Sequence, residues 1–104
     1  MANMVVIYKT PQDPAAFDEH YREVHVPLAK KLPGLQKYEI SKGPVLAMAS
    51  ASDTYLVATL HFESLAAIKA AFASQCGRDC AADRRHLVPD DKDVQIFLFD
   101  NEVV

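Results

Sequence analysis

The chain is expected to fold as an α+β sandwich of element order β-α-β-β-α-β, with one antiparallel four-stranded sheet and both main helices on one face. Three observations carry this expectation. Asp13 to Leu35 has apolar side chains at helical spacing, Thr54 to Phe62 (TYLVATLHF) alternates with a period of two, and Ser64 opens a second helical stretch directly afterwards. Right-handed crossovers in the two β-α-β halves then give the strand order 4-1-3-2.

Met4 to Lys9 (MVVIYK) reads as the first strand, apolar and β-branched, ending before Thr10 and Pro11. In the next element Asp13 caps the first amides and Pro14 takes the first helical position, where a missing N–H costs nothing. Phe17, Tyr21, Val24, Leu28 and Leu32 form its core stripe. Pro27 cannot bond back to the carbonyl of Glu23 and is expected to push Val26 out of helical geometry, bending the helix. Pro33 and Gly34 then stop it. Leu35 to Lys42 alternates, with Tyr38 and Ile40 on one face, as an edge strand with one wet side. Gly43 to Asp53 (GPVLAMASASD) has little periodicity and reads as a loop.

In Thr54 to Phe62 the residues Leu56, Ala58, Leu60 and Phe62 share one face, and Tyr55, Val57, Thr59 and His61 the other. Ser64 caps a helix whose stripe is Leu65, Ile68 and Phe72, with Gly77 as its stop. A short third helix is expected over Cys80 to Leu87. Past the charged turn at 90–93, Val94 to Phe99 (VQIFLF) forms the last strand. The result is a ferredoxin-like sandwich, a single domain over residues 1–104. Helices cover only one sheet face, yet Tyr55, Val57 and alternate residues of VQIFLF give the other face apolar area. A homodimer with two sheets packed face to face follows.

The chain has 104 residues, half of them hydrophobic, and a net charge of -3. It has no basic footprint for nucleic acid or an anionic membrane, so neither is expected as a partner. MANMVVIYKT lacks the pattern of a signal peptide and no stretch reaches transmembrane length, so a cytoplasmic location is expected. Cys76 and Cys80 lie one helical turn apart, a poor geometry for a bridge, and read as free thiols.

No Gly-rich phosphate loop, G-x-S-x-G, HExxH or paired C-x-x-C motif is present, so no cofactor and no metal are expected. The candidates for chemistry are scattered His, Tyr and Asp side chains. His25, at the margin of the apolar stripe just before Pro27, is either a hydrogen-bonded helix-edge histidine or a proton-transfer residue facing a pocket. His20, near Glu19 and Glu23, reads as solvated. His61 lies in a polar column of its strand and reads as an interface or structural group. Cys76, Cys80, Asp83 and His86 superficially have ligand spacing, but Gly77 separates Cys76 from the rest. Asp83 beside Arg84 and Arg85 reads as a surface charge cluster, and Tyr8 and Tyr21 as core aromatics whose polar tips need partners.

The run FDEHYREVHVPLAKKLPGLQKYEISKGP resembles the opening of the EthD family, named for a gene cluster that degrades ethyl tert-butyl ether. TYLVATLHFESLAAIKAAFAS is similar to the family's second strand-and-helix unit, and with Ala81, Ala82 and Asp83 the resemblance covers nearly the whole chain. It implies a dimeric α/β barrel of ferredoxin-like subunits and a histidine in the family pattern at His25. Related dimeric barrels bind small aromatic, lactone or polyketide-like compounds between helices and sheet. They include cyclases, isomerases, decarboxylases, monooxygenases and haem enzymes. His61, the stretch Arg85 to Pro89 and both cysteines depart from the family pattern, and its label as an oxidoreductase finds no nucleotide or flavin fingerprint here.

The leading expectation is a cofactor-independent enzyme acting on a small hydrophobic carbonyl, enol or lactone compound in a catabolic pathway. His25 would move the proton, with Tyr21 and Tyr55 as hydroxyls polarising the carbonyl. The alternative is a non-catalytic dimer that binds a hydrophobic metabolite or assists a partner oxygenase.

Overall fold

The structure is a computed structural model and describes residues 1–104. Strands β1 (Ala2–Lys9), β2 (Lys37–Ile40), β3 (Thr54–Phe62) and β4 (Val94–Asp100) form one antiparallel sheet in the order β2-β3-β1-β4. Read from the other edge, this is the predicted 4-1-3-2. Val6 on β1 stands opposite Ala58 on one side and Ile96 on the other, and Tyr38 stands opposite Leu60. These residues therefore share one sheet face. Ala2, Val6, Tyr8, Leu56, Ala58, Leu60 and Phe62 on that face are buried beneath the helices.

The helical layer begins with α1 (Pro14–His20), where Asp13 Oδ1 accepts from the amide of Ala16 at 3.1 Å. The chain then widens into a π-helical turn over Tyr21–His25 and returns to α geometry in α2 (Val26–Ala29). Val26 keeps helical angles (φ -59°, ψ -47°), and its N–H reaches back five residues to the carbonyl of Tyr21. The expected expulsion of Val26 from the helix does not occur. Pro27 lacks an N–H, and the helix accommodates this by taking one extra residue into the preceding turn.

That extra residue changes which side chains face inward. Phe17, Tyr21, His25 and Ala29 are buried, four residues apart each time, while Val24 is 40% exposed. Val24 was expected in the core stripe; in the π register His25 takes that place. Gly34, at φ +80°, completes the turn after Pro33.

Helix α3 (Leu65–Ala73) starts where predicted, with Ser64 Oγ accepting from the amide of Ala67 at 3.0 Å. It ends at Ser74, not Gly77. Ser74 Oγ donates to the Ala71 carbonyl at 2.5 Å and accepts from the amide of Gly77 at 3.1 Å, so one side chain closes α3 and caps α4 (Gln75–Leu87). Gly77 lies in the first turn of α4 because a Cβ there would overlap the Ala71 carbonyl and the Phe72 backbone. Its absent side chain permits the close packing of two helices. Helix α4 thus begins five residues before the expected Cys80, and a 3-10 turn (Asp91–Asp93) leads into β4.

The helices leave much of β4 uncovered on both faces. Ile96, Phe97, Leu98 and Phe99 are 43–48% exposed.

Candidate active site

His25 projects from the π turn toward α4, where Asp83 sits two turns from the Ser74 cap. Its Nδ1 lies 2.8 Å from Asp83 Oδ2, and Nε2 of His20 lies 2.8 Å from Asp83 Oδ1. Two histidines therefore share one carboxylate. On an ordinary helix, residues five apart diverge by about 140°. The wider π turn brings them back to the same side. Neither the surface-cluster reading of Asp83 nor the solvated reading of His20 survives this geometry.

The electrostatics fix the chemical state. Burial pushes the Asp83 carboxyl up, but the hydrogen bonds from His20 and His25 pull it down further, and the net value is below the ordinary one. As a carboxylate Asp83 only accepts hydrogen bonds, so the His25 nitrogen facing it carries the proton. Burial lowers the pKa of His25 and the carboxylate offsets this in part, leaving it below its ordinary value. The neutral imidazole then has its lone pair on Nε2. That nitrogen has no protein partner, and the sole fully enclosed orphan among the side-chain polar atoms is Asn3 Oδ1.

His25 lines a cavity of about 190 Å³ between the π turn, α4 and the sheet. Val6, Leu32, Ala58, Leu60 and Phe72 give it an apolar wall, with Tyr8, Tyr21, Tyr38 and Arg84 among its polar neighbours. The guanidinium of Arg84 is held by the carbonyl of Val88 and by Asp91, both at 3.2 Å. A cavity of about 150 Å³ accommodates benzene. The ligand that fits is a one-ring compound with a few substituent atoms. A haem, implied by some barrel relatives, does not fit: the space is far too small for a porphyrin.

Of the expected hydroxyls, Tyr21 is in place. Its ring lies against His25 with centroids 5.3 Å apart, and its hydroxyl meets that of Tyr38 at 2.5 Å. Tyr55 is not brought to His25. Its hydroxyl donates to both oxygens of Asp18, at 2.8 and 2.9 Å, in an outer recess that also includes Arg22, Ser41 and Gly43. Tyr55 lies where the pairing of β3 with β1 shifts register, and its ring packs edge-on to Phe17 at 5.7 Å, at the end of the strand away from the cavity. His61 pairs with Glu39 across β3 and β2 at 2.7 Å. No group of three or more His, Cys, Asp and Glu has the geometry to hold a metal ion. Cys80 is buried in the cavity wall, and burial foremost pushes its thiol up to about 12.

Asp83 and Tyr38 were missed as site residues. Tyr38 had a signal, since its strand alternation aims it at the helices. For Asp83 the signal was the face that it shares with Cys80 and Leu87 at helical spacing. Two neighbouring arginines obscured it.

Residues 9–91 match the model of the EthD domain. An uncharacterized 11.0 kDa protein of Rhodococcus erythropolis, from the thcB-thcC intergenic region, is 41% identical over 83 residues, which are 80% of each chain. The crystal structure of an ethyl tert-butyl ether degradation (EthD) family protein from Bacillus halodurans superposes with a TM-score of 0.87 at 24% identity, covering 98% of this chain and 99% of that one. A dimeric ferredoxin-like protein of unknown function from Thermobifida fusca superposes with a TM-score of 0.66 at 14% identity, covering 94% and 88%. The family model takes in the π turn, Asp83, β2 and β3, and the chain belongs to the EthD family.

Proposed function

We propose that this protein is a cofactor-independent enzyme that moves a proton on a small hydrophobic carbonyl, enol or lactone compound. One observation supports this most: a neutral histidine, oriented by a buried carboxylate, has its second nitrogen unpartnered beside an apolar cavity of one-ring size. Asp83 holds the Nδ1–H tautomer, so Nε2 is the base. Withdrawal of a proton by a placed histidine is typically worth about 10²–10⁴ in rate. The Tyr21 and Tyr38 pair supplies hydroxyls at the same wall. Tyr55 keeps its place at the outer recess and takes no part in the proton transfer.

The working form in this reading is a cytoplasmic homodimer joined through the uncovered sheet face. Val5, Ile7, Val57 and Phe97 fall on that face by register. Asn3 Oδ1, enclosed there without a partner, fits an edge of the buried interface.

A thermal-shift screen of wild type and His25→Ala against phenols, lactones and β-keto compounds tests the reading. Binding to the folded state raises the melting temperature. A compound class that stabilises wild type, loses its effect in the variant, and is turned over only by wild type is the expected result. Equal shifts and equal turnover in the two proteins would sink it. The second reading, a carrier for a hydrophobic metabolite, draws on the apolar wall of the cavity; it requires binding without turnover in wild type.

A further inference from the structure

The cavity holds one hydroxyl that the fold leaves without a partner. Tyr8 stands on β1 in the interior of the sheet, with its ring edge-on to Phe17 and Tyr21 at centroid distances of 5.4 and 5.8 Å. Only 1% of its surface is exposed. A tyrosine buried this deeply normally hydrogen-bonds its oxygen. Tyr21 and Tyr38 hydrogen-bond each other and Tyr55 donates to Asp18, but nothing in the protein hydrogen-bonds Tyr8. Nor is its oxygen sealed in, because the one enclosed orphan side-chain atom is Asn3 Oδ1. The little surface that Tyr8 retains is therefore at its hydroxyl, on the wall it shares with His25.

Two complementary groups thus await the same ligand: a donor at Tyr8 and a base at Nε2 of His25. Burial first, and the Tyr38 phenol next, push the ionisation of Tyr8 far above that of an ordinary tyrosine, so it remains an O–H donor at every working pH.

We propose that Tyr8 is a catalytic hydrogen-bond donor that binds the carbonyl oxygen of the substrate while His25 removes a proton from the adjacent carbon. This rests on the reading of His25 as the base and narrows the substrate class to one-ring enolisable ketones and lactones. The C–H pair becomes the new C=C bond, and the carbonyl π pair moves onto oxygen, where the O–H of Tyr8 stabilises the enolate. The proton on His25 then returns to another carbon or to oxygen of the same molecule. The step is an isomerisation and needs no oxidant or reductant.

The experiment has two arms, run on wild type, Tyr8→Phe and His25→Ala. In the binding arm, fluorine NMR measures affinity for 4-fluorophenol, which mimics the enol and both donates and accepts, and for fluorobenzene, which does neither. Tyr8→Phe is expected to weaken 4-fluorophenol about tenfold, the worth of one hydrogen bond, and to leave fluorobenzene unchanged. Equal affinity of wild type and Tyr8→Phe for 4-fluorophenol overturns the proposal. In the exchange arm, proton NMR follows loss of the α-hydrogens of cyclohexanone in D2O. Tyr8→Phe should lower kcat about 10²–10³-fold with little change in KM, as removal of an oxyanion donor does elsewhere. His25→Ala should abolish exchange. An absence of exchange in wild type, with the phenol preference intact, would refute His25 as the base and retain Tyr8 as a ligand donor. Because the Tyr8 hydroxyl has no protein partner to lose, the melting temperature of Tyr8→Phe should stay within about 2 °C of wild type. A large drop would instead show that the hydroxyl has a structural role and overturn the assignment.

Discussion

Replacing Asp83 by Asn removes the charge that two histidines share and preserves the size of the side chain. In the wild type the carboxylate accepts from His20 and His25, each at 2.8 Å. A hydrogen bond to a charged group contributes about 1.5–3 kcal/mol. Asn has one acceptor oxygen and presents its NH2 to the other histidine, so one of the two bonds is lost and the survivor is weaker. The His20 side chain is 27% exposed and can turn to water, whereas His25 is 10% exposed and cannot. Asn is therefore expected to orient its oxygen toward His25, and the net destabilisation falls near the lower end, about 2 kcal/mol. For a domain of this length that lowers the melting temperature by roughly 8–16 °C.

Urea denaturation across pH, together with nitrogen NMR of the imidazoles, checks both the magnitude and the cause. The folded-state pKa of Asp83 is depressed, so its contribution is fully present above the unfolded value of about 4 and is lost as pH falls through the lower folded value. The gap between wild type and Asp83→Asn should be present from neutral pH down to about 4 and close in more acid solution. His25 is also depressed: its unfolded form binds a proton first, so wild-type stability should begin to fall below about pH 6.5. At pH 7 the wild-type His25 should show the Nδ1–H tautomer, and in the variant this preference should weaken. A variant that melts within 2 °C of wild type, with the tautomer unchanged, would refute the shared-carboxylate account.

Three further substitutions probe other parts of the molecule. Phe97→Glu places a charge among the apolar residues of the uncovered sheet face, and light scattering at micromolar concentration should find the wild type as a dimer and the variant as a monomer. Ala58→Leu adds bulk to the cavity wall without touching His25; thermal-shift responses to phenols should vanish while the histidine tautomer stays as it was. Gly77→Ala forces a Cβ into the Ala71 carbonyl and Phe72 backbone, and chemical denaturation should show a loss of about 2–3 kcal/mol or a failure to fold.

The strand order was legible because alternation in TYLVATLHF and helical spacing on either side leave few topologies to choose from. Its observed bounds, Thr54–Phe62, are those expected. Ser64 was equally readable, since a cap announces itself by residue type just ahead of an apolar run. Gly77 was misread because a glycine near a helix end has two uses, and only the packing of α3 on α4 distinguishes a stop from a close approach. The site was less legible than the fold. His25 was found at the margin of an α-helical wheel, but the wheel assumed 3.6 residues per turn and so placed Val24 inside and sent His20 to solvent. Pro27 was recognised as a disturbance; how the chain would absorb it is a tertiary matter.

The π turn also says how sequences of this kind should be compared. Between Tyr21 and Pro27 the count of residues sets the type of helix. Losing one of Arg22, Glu23 or Val24 would restore an ordinary helix and leave the hydrophobic spacing plausible, so the fold would survive. The imidazole would then stand four residues after His20, about 40° from it on an ordinary helix, and could still share a carboxylate with it. A single-residue gap in this segment of an alignment would therefore mark a change of helix type that keeps the two histidines on one face, with the chemistry they share intact.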